Sequence, residues 1–319
     1  MYFTLPQQYR EASTDDLKES VTAARRQLGK KLVILTHHYQ RIEVVANGDY
    51  VGDSYGLSKI AAEQTEAEFV VFCGVHFMAE SAAILCPDKT VLIPRPDAGC
   101  PLADTITPEA LKKAKDDHPG ATVVTYINST AEIKALSDIC CTSGNAVEVV
   151  ESLGVDRVIF LPDEFLAKNV ADRTGVGIIP WRGRCEVHER FTPADIATLR
   201  RDHPGIVVLA HPECDRPVVE AADYAGSTAG MTRYVAERKP AQVALITECS
   251  MSDNVAIANP DVEFVKPCNL CPHMKRITLP KIRHALGTMT FEVTVPPDVA
   301  ARARLAVERM VAVGRKGAA

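Results

Sequence analysis

Three short segments place cysteines where metal chemistry could be done: PRPDAGCPLAD around Cys100, PWRGRCEVHERF around Cys185, and KPCNLCPHMK with Cys268 and Cys271. In each, a β-branched apolar run ends in proline (Pro94, Pro180, Pro267) and a cysteine follows within a few residues. Thiolate-rich sites select zinc or iron–sulfur clusters. One thiolate from each segment leaves a fourth metal position open, which suits a [4Fe–4S] cluster with one iron available to substrate. The Cys-x-x-Cys spacing alone is shared with zinc ribbons and redox pairs. Cys73, Cys86, Cys214 and Cys249 read as small buried hydrophobes, and the adjacent Cys140 and Cys141 as packing or part-exposed residues.

A second set consists of polar pairs at the ends of apolar runs: His37 and Tyr39, Tyr126 and Asn128, His211 and Glu213. One residue separates the members of each pair, so both point to one side of an extended chain. Histidine can donate, accept or shuttle protons, and Glu213 is the candidate general base if its pKa is raised. His38 reads as a surface cap or solvated turn. A third set, Asp53–Ser54, Thr142–Ser143 and Ser227–Thr228, opens expected helices. These residues suit N-capping, and the free N–H groups beside them attract anions. A small substrate with several carboxylates or a phosphate fits such a pocket.

The elements that must position these groups repeat along the chain. TPEALKKAKDDHPGATVVTYINST starts at Thr107 and returns as TPADIATLRRDHPGIVVLAHPEC at Thr192, a shift of 85 residues. That shift carries Tyr126 onto His211, Asn128 onto Glu213 and Ser143 onto Thr228. A fainter copy from Asp15 places His37, Tyr39 and Ser54 in the same register. Each copy reads as helix, apolar strand, loop, small-residue helix, second strand, Ala-rich helix and third strand. Short apolar strands alternating with helices predict parallel sheets. The expected architecture is α/β: three similar three-layer αβα domains with small parallel sheets, related by pseudo-threefold symmetry around a central active site. The boundaries fall at 1–107, 108–191 and 192–319, with helical signals at 14–28 and 298–314 packing onto these units. In such sheets ligands gather at the carboxyl ends of the strands, where all three sets of residues lie.

Composition narrows the field. The charged fraction of 24% and hydrophobic fraction of 46% are those of a globular protein. A net charge of −5 gives no footprint for nucleic acid or an anionic membrane. No apolar run approaches the ~18 residues of a membrane span, and the first residues show no secretion signal. A reducing cytoplasm is the expected compartment, where cysteines serve packing, metal binding or catalysis. The phosphate-loop, dinucleotide-fold, His-Glu-x-x-His and Gly-x-Ser-x-Gly fingerprints are absent.

PDAGCPLAD, TYINSTAEIKA, CTSGNAV, RCEVH, HPEC, GSTAGM and CNLCPHMK together resemble the motifs of the quinolinate synthase (NadA) family, from about Thr36 to Lys275. The resemblance implies three α/β domains and an enzyme of de novo NAD biosynthesis. It would condense iminoaspartate with dihydroxyacetone phosphate, with loss of phosphate and two waters, and couple functionally to L-aspartate oxidase. It implies a [4Fe–4S] cluster on Cys100, Cys185 and Cys271. Cys271 is favoured over Cys268 because the family's ligand directly precedes Pro-x-Met, here Pro272-His273-Met274. His37, Tyr39, Tyr126, His211 and Glu213 become catalytic candidates. Asp53, Ser54, Asn128, Ser143, Ser227 and Thr228 join His37, Tyr126, His211 and Glu213 as substrate-binding candidates. His188 matches the Cys-x-Val-His motif, with support of the ligand Cys185 as its expected role. Gly144 departs from the family pattern, where serine or alanine is expected. Two rivals stand beside this reading. One is a diphthamide-synthesis enzyme, which also places one cysteine per α/β domain around a cluster. The other is a non-catalytic iron–sulfur sensor or zinc-stabilised binding protein, which would need a fourth ligand.

Overall fold

The computed structural model describes residues 4–316. Within them, strands β1 (Leu32–His37), β2 (Tyr50–Gly52), β3 (Phe69–Cys73) and β4 (Thr90–Leu92) form one sheet. Strands β5 (Thr122–Tyr126), β6 (Ile139–Cys141), β7 (Arg157–Leu161) and β8 (Gly177–Pro180) form a second. The third holds β9 (Val207–Ala210), β10 (Tyr224–Ala225), β11 (Gln242–Ile246) and β12 (Glu263–Val265). Every pairing is parallel. The strand order is the same three times: β2-β1-β3-β4, β6-β5-β7-β8 and β10-β9-β11-β12. The αβα character expected from the sequence is therefore present in each segment.

Each sheet has one strand more than the apolar runs predicted. The additional members, β2, β6 and β10, are edge strands of two or three residues. A strand that short carries too few residues to show a period, and in β2 the two leading residues are exposed. The central strands behave as the sequence indicates. All six positions of β1 are buried, as expected where helices cover both faces of a parallel sheet.

The repeated Thr-Pro and Asp-His-Pro-Gly motifs have local causes. Thr107 accepts the Ala110 N–H and Pro108 occupies the first turn of helix Pro108–Asp117. Thr192 does the same for helix Pro193–Asp202 and forms a capping box with Asp195. Both helices end at the aspartate, and the following glycines, Gly120 and Gly205, take φ of 80° and 85°. That left-handed turn favours glycine and reverses the chain into β5 and β9.

The chain divides into two compact units. The first comprises the residues up to Cys100 together with Cys271–Pro296. Its sheet is joined by the returning segment: Ile93 N–H donates to Phe291 O at 3.0 Å and Val293 N–H to Val91 O at 2.8 Å. Helix Leu279–Thr288 packs against helix Thr14–Leu28, burying Leu279, Ile282, Ala285 and Leu286.

The second unit comprises Pro101–Leu270 and the residues from Pro297 onward. One of its cores gathers Leu111, Val123, Ile133, Ile159 and Leu161. Another gathers Ile196, Ile206, Val208, Cys214, Val218 and Ile246. Helix Pro297–Lys316 lies on helix Ala131–Leu136 and β6, burying Ala303, Ala306, Val307 and Met310.

Candidate active site

In the first unit, β1 delivers His37 to its carboxyl end in a buried position. The His37 Nδ1 accepts the Tyr39 N–H at 3.1 Å, and the two rings meet edge to face at 4.7 Å. The segment after Cys271 closes on this turn. Lys275 Nζ donates to Tyr39 O at 2.5 Å, and the Gln40 amide approaches Met274 Sδ at 3.5 Å. Asp53 caps helix Ser54–Glu63 by accepting the Gly56 N–H at 2.7 Å, as expected. His38 is half-buried, and burial lowers its pKa against a smaller opposing pull from Asp53.

In the second unit, Glu213 is buried at the centre of a polar cluster. Tyr126, the last residue of β5, donates its hydroxyl to Glu213 Oε1 at 2.5 Å. Asn128 Nδ2 approaches the same oxygen at 3.4 Å. His188 Nδ1 lies 2.8 Å from Glu213 Oε2, and His188 Nε2 lies 2.9 Å from Thr247 Oγ1. A carboxylate only accepts, so His188 Nδ1 carries the hydrogen that faces Glu213. The His211 ring stacks on His188 at 4.6 Å, and His211 Nδ1 accepts the Glu213 N–H at 3.3 Å.

The electrostatics correct one expectation. Burial pushes the Glu213 carboxyl up, but His188, His211 and the Tyr126 hydroxyl outweigh it and hold the pKa down at about 2. A base tuned upward by burial is therefore not what the resting cluster provides. Burial lowers His211 to about 3, against an opposing pull from Glu213, and His188 is the imidazole that pairs directly with the carboxylate. The raised carboxyl is a residue the sequence reading passed over. Asp163 is fully buried and pushed well above the carboxylate range, by burial first and then by the Glu213 charge. It caps helix Glu164–Thr174, accepting the Leu166 N–H at 2.7 Å. In the repeat register Asp163 falls on Glu248, also buried, which accepts the Ser250 N–H at 2.8 Å. That match is the signal that would have found it; Thr247 and Lys275 left none.

Ser227 caps helix Thr228–Arg238 through the Gly230 N–H, as expected. Thr142–Ser143 does not open a helix. The residue before helix Ala146–Ser152 is Asn145, whose Oδ1 accepts from both the N–H and hydroxyl of Thr142. Asparagine ties the turn back on itself, which moves the helix start downstream. This turn sits close to Ser227: a Cβ at Gly144 would lie 3.1 Å from the Ser227 Oγ.

The cysteines separate by environment. Cys249 and Cys268 form a disulfide with Cα atoms 4.8 Å apart, within the range that geometry requires. Cys249 is thus not the packing residue expected, because the turn carrying Cys268 comes alongside it: the Cys249 N–H donates to Asn269 O at 3.1 Å. Of the eight cysteines outside the disulfide, five are buried, while Cys100, Cys185 and Cys271 are part-exposed. Burial raises Cys73 and Cys140 to about 12 and pushes Cys141 and Cys214 up as well. Those four are held as thiols. The donor atoms of Cys185, His188 and Glu213 lie within 4.8 Å of one another.

Parallel α/β units carrying a buried carboxylate–imidazole–phenol cluster beside a part-exposed thiol define an enzyme built at strand carboxyl ends. The chain belongs to the Quinolinate synthetase A protein family, whose model matches residues 19–312. It is an enzyme of that kind. It is 60% identical over 285 residues to Quinolinate synthase 2 of Mesorhizobium japonicum, covering 89% of this chain and 88% of the relative. It is 58% identical over 300 residues to Quinolinate synthase of Agrobacterium fabrum, covering 94% and 86%. Identity to Quinolinate synthase of Xylella fastidiosa is 56% over 285 residues, covering 89% and 84%. No described helix is long and apolar enough to cross a membrane.

Proposed function

We propose that this chain makes quinolinate for NAD biosynthesis by condensing iminoaspartate with dihydroxyacetone phosphate, releasing phosphate and two waters. The atoms balance without an oxidant or reductant. The observation that carries the reading is the buried Glu213, held between Tyr126 and His188 and beside Cys185. We assign Cys100, Cys185 and Cys271 as the residues that would hold a [4Fe–4S] cluster, the donor set being the three part-exposed thiols. When bound, the cluster supplies a Lewis-acidic iron that polarises substrate oxygens or nitrogen.

The chain's own residues do the remainder. Glu213 rests as an anion and serves as proton acceptor during tautomerisation and dehydration. A substrate that brings carboxylates near it, or takes over the Tyr126 hydroxyl, removes part of what keeps it acidic and raises its basicity on binding. His37, Tyr39 and His211 orient substrate groups, with Tyr126 returning a proton. Asp53, Ser54, Asn128, Ser143, Ser227 and Thr228 hold carboxylates and phosphate through hydroxyls, amides and nearby helix N–H groups. The repeated strand order supports reading residues 1–107, 108–191 and 192–319 as three copies of one domain. A cytoplasmic setting and supply of iminoaspartate by L-aspartate oxidase belong to the same proposal.

The test is anaerobic reconstitution with iron and sulfide, followed by a quinolinate assay with both substrates. Product formation, with about four irons and four sulfides per chain, is the expected result. One zinc per chain and no product would overturn the proposal.

A further inference from the structure

Glu213 lies on a connection rather than in a strand or helix: the turn His211–Cys214 runs between β9 and helix Arg216–Ala221. Short connections move more than the elements they join, yet catalysis requires an acceptor held to a fraction of an ångström. Something must fix this turn. The His211 N–H donates to Ile246 O at 3.1 Å at the start of the turn, and a side chain from another helix ties the backbone on both sides of Glu213. Asn169, in the middle of helix Glu164–Thr174, directs both amide hydrogens at the turn's backbone. Its Nδ2 donates to Pro212 O at 2.8 Å and to Cys214 O at 3.0 Å. These carbonyls flank Glu213 on either side, and Asn169 is 8% exposed. The two bonds span 43 and 45 residues of sequence, so the tie is tertiary.

The same helix is anchored at its start to the loop that carries Cys185. Glu164 N–H donates to Gly183 O at 2.7 Å, and Asp163 pairs with Gly183 as a parallel bridge. One helix therefore grips the Cys185 loop at its first turn and the Glu213 turn from its middle.

We propose that Asn169 is a positioning residue for the reaction: by clamping Pro212 and Cys214 it holds the Glu213 carboxylate at a set place relative to Cys185. The inference rests on the reading of Glu213 as proton acceptor. A side chain of the same shape that cannot donate leaves two buried carbonyls unpaired, and the turn relaxes.

The experiment compares the reconstituted wild-type enzyme with Asn169→Asp, Asn169→Leu, Asn169→Gln and Glu213→Gln. Readouts are iron content, melting temperature, kcat, and KM for dihydroxyacetone phosphate. Leu matches asparagine in size and donates nothing to the carbonyls, and Asp offers at most the single hydrogen of a protonated carboxyl. Each is expected to lower kcat roughly 10- to 100-fold, with KM changed less than about threefold and iron content at the wild-type level. Asn169→Gln keeps both donors on a longer stem and is expected to recover most of kcat. A wild-type kcat for Asn169→Asp overturns the inference, as does activity that merely tracks the folded fraction in all three variants. Should neither Asp nor Leu fold, Asn169→Ser decides: a tenfold loss supports the clamp and a wild-type kcat removes it. If Glu213→Gln retains full turnover, the acceptor reading itself has failed. If Glu213→Gln is inactive while Asn169→Asp is normal, only the present inference has failed.

Discussion

Asn128 and Glu213 occupy the same place in two successive repeats, 85 residues apart, and their side chains meet, with Asn128 Nδ2 at 3.4 Å from Glu213 Oε1. Equivalent strand-end residues thus face each other, and only one of the two is ionisable. That asymmetry sets one carboxylate against an amide and the Tyr126 hydroxyl, a placement suited to a proton acceptor.

Replacing Glu213 by glutamine removes the charge and keeps the shape. Quinolinate formation should fall roughly 10²- to 10⁴-fold, while iron content and its spectrum remain those of wild type. Steady-state rates beside iron analysis check this; undiminished turnover would remove Glu213 from the acceptor role.

The environments of the cysteines predict which ones hold iron. Serine at Cys100, Cys185 or Cys271, the part-exposed set, should each deplete iron and abolish turnover. Serine at the buried Cys86 should leave iron unchanged. Iron and sulfide analysis after anaerobic reconstitution reads the result, and equal loss from Cys86→Ser would contradict the three-ligand assignment.

His211 makes stability depend on pH. Burial lowers its pKa from 6.5 to about 3, so below pH 6.5 the unfolded chain binds a proton the fold refuses. The contribution is fully present above that pH and lost as pH falls toward 3. Between pH 6.5 and 4.5 this amounts to roughly 2–3 kcal/mol. Glu213 adds a loss of the same sign only below its ordinary 4.5, while Asp163 acts in the opposite sense in any variant. Urea unfolding of His211→Asn at pH 6.5, 5.5 and 4.5 should show a flatter decline than wild type; parallel declines would refute it.

Met310 tests the packing apart from the chemistry. It is fully buried on the face of helix Pro297–Lys316 that packs against helix Ala131–Leu136 and β6. Met310→Lys should destabilise by about 3 kcal/mol or more, lowering the melting temperature with kcat per folded molecule unchanged. A melting temperature within a degree of wild type would show that this face is not held.

Much of the architecture was legible because it is written more than once. The Thr-Pro cap, the Asp-His-Pro-Gly turn and the apolar strand after it have local causes, so their recurrence fixed the three sheets and placed Tyr126, His211 and Glu213 at strand ends. What escaped depends on partners distant in the chain. The edge strand Tyr224–Ala225 is too short to carry a pattern. The Cys249–Cys268 bridge could not be read because spacing does not reveal pairing. Asn169 looks like any polar residue on a helix until Pro212 and Cys214 arrive above it. The low pKa of Glu213 is set by His188, whose approach no local motif encodes.

The first unit is composed of two stretches, the chain up to Cys100 and Cys271–Pro296. This has a consequence for biosynthesis. Domains generally fold as they leave the ribosome, N-terminal parts first. Here the unit that emerges first must wait for helix Leu279–Thr288, and for the Phe291–Val293 segment that joins its sheet beside β4. Until then the face of helix Thr14–Leu28 that it covers stays open to solvent and to chaperones. The unit whose leading stretch appears first is not finished until residues 271–296 have been made, and a message cut short before residue 271 yields a chain with that unit unsealed.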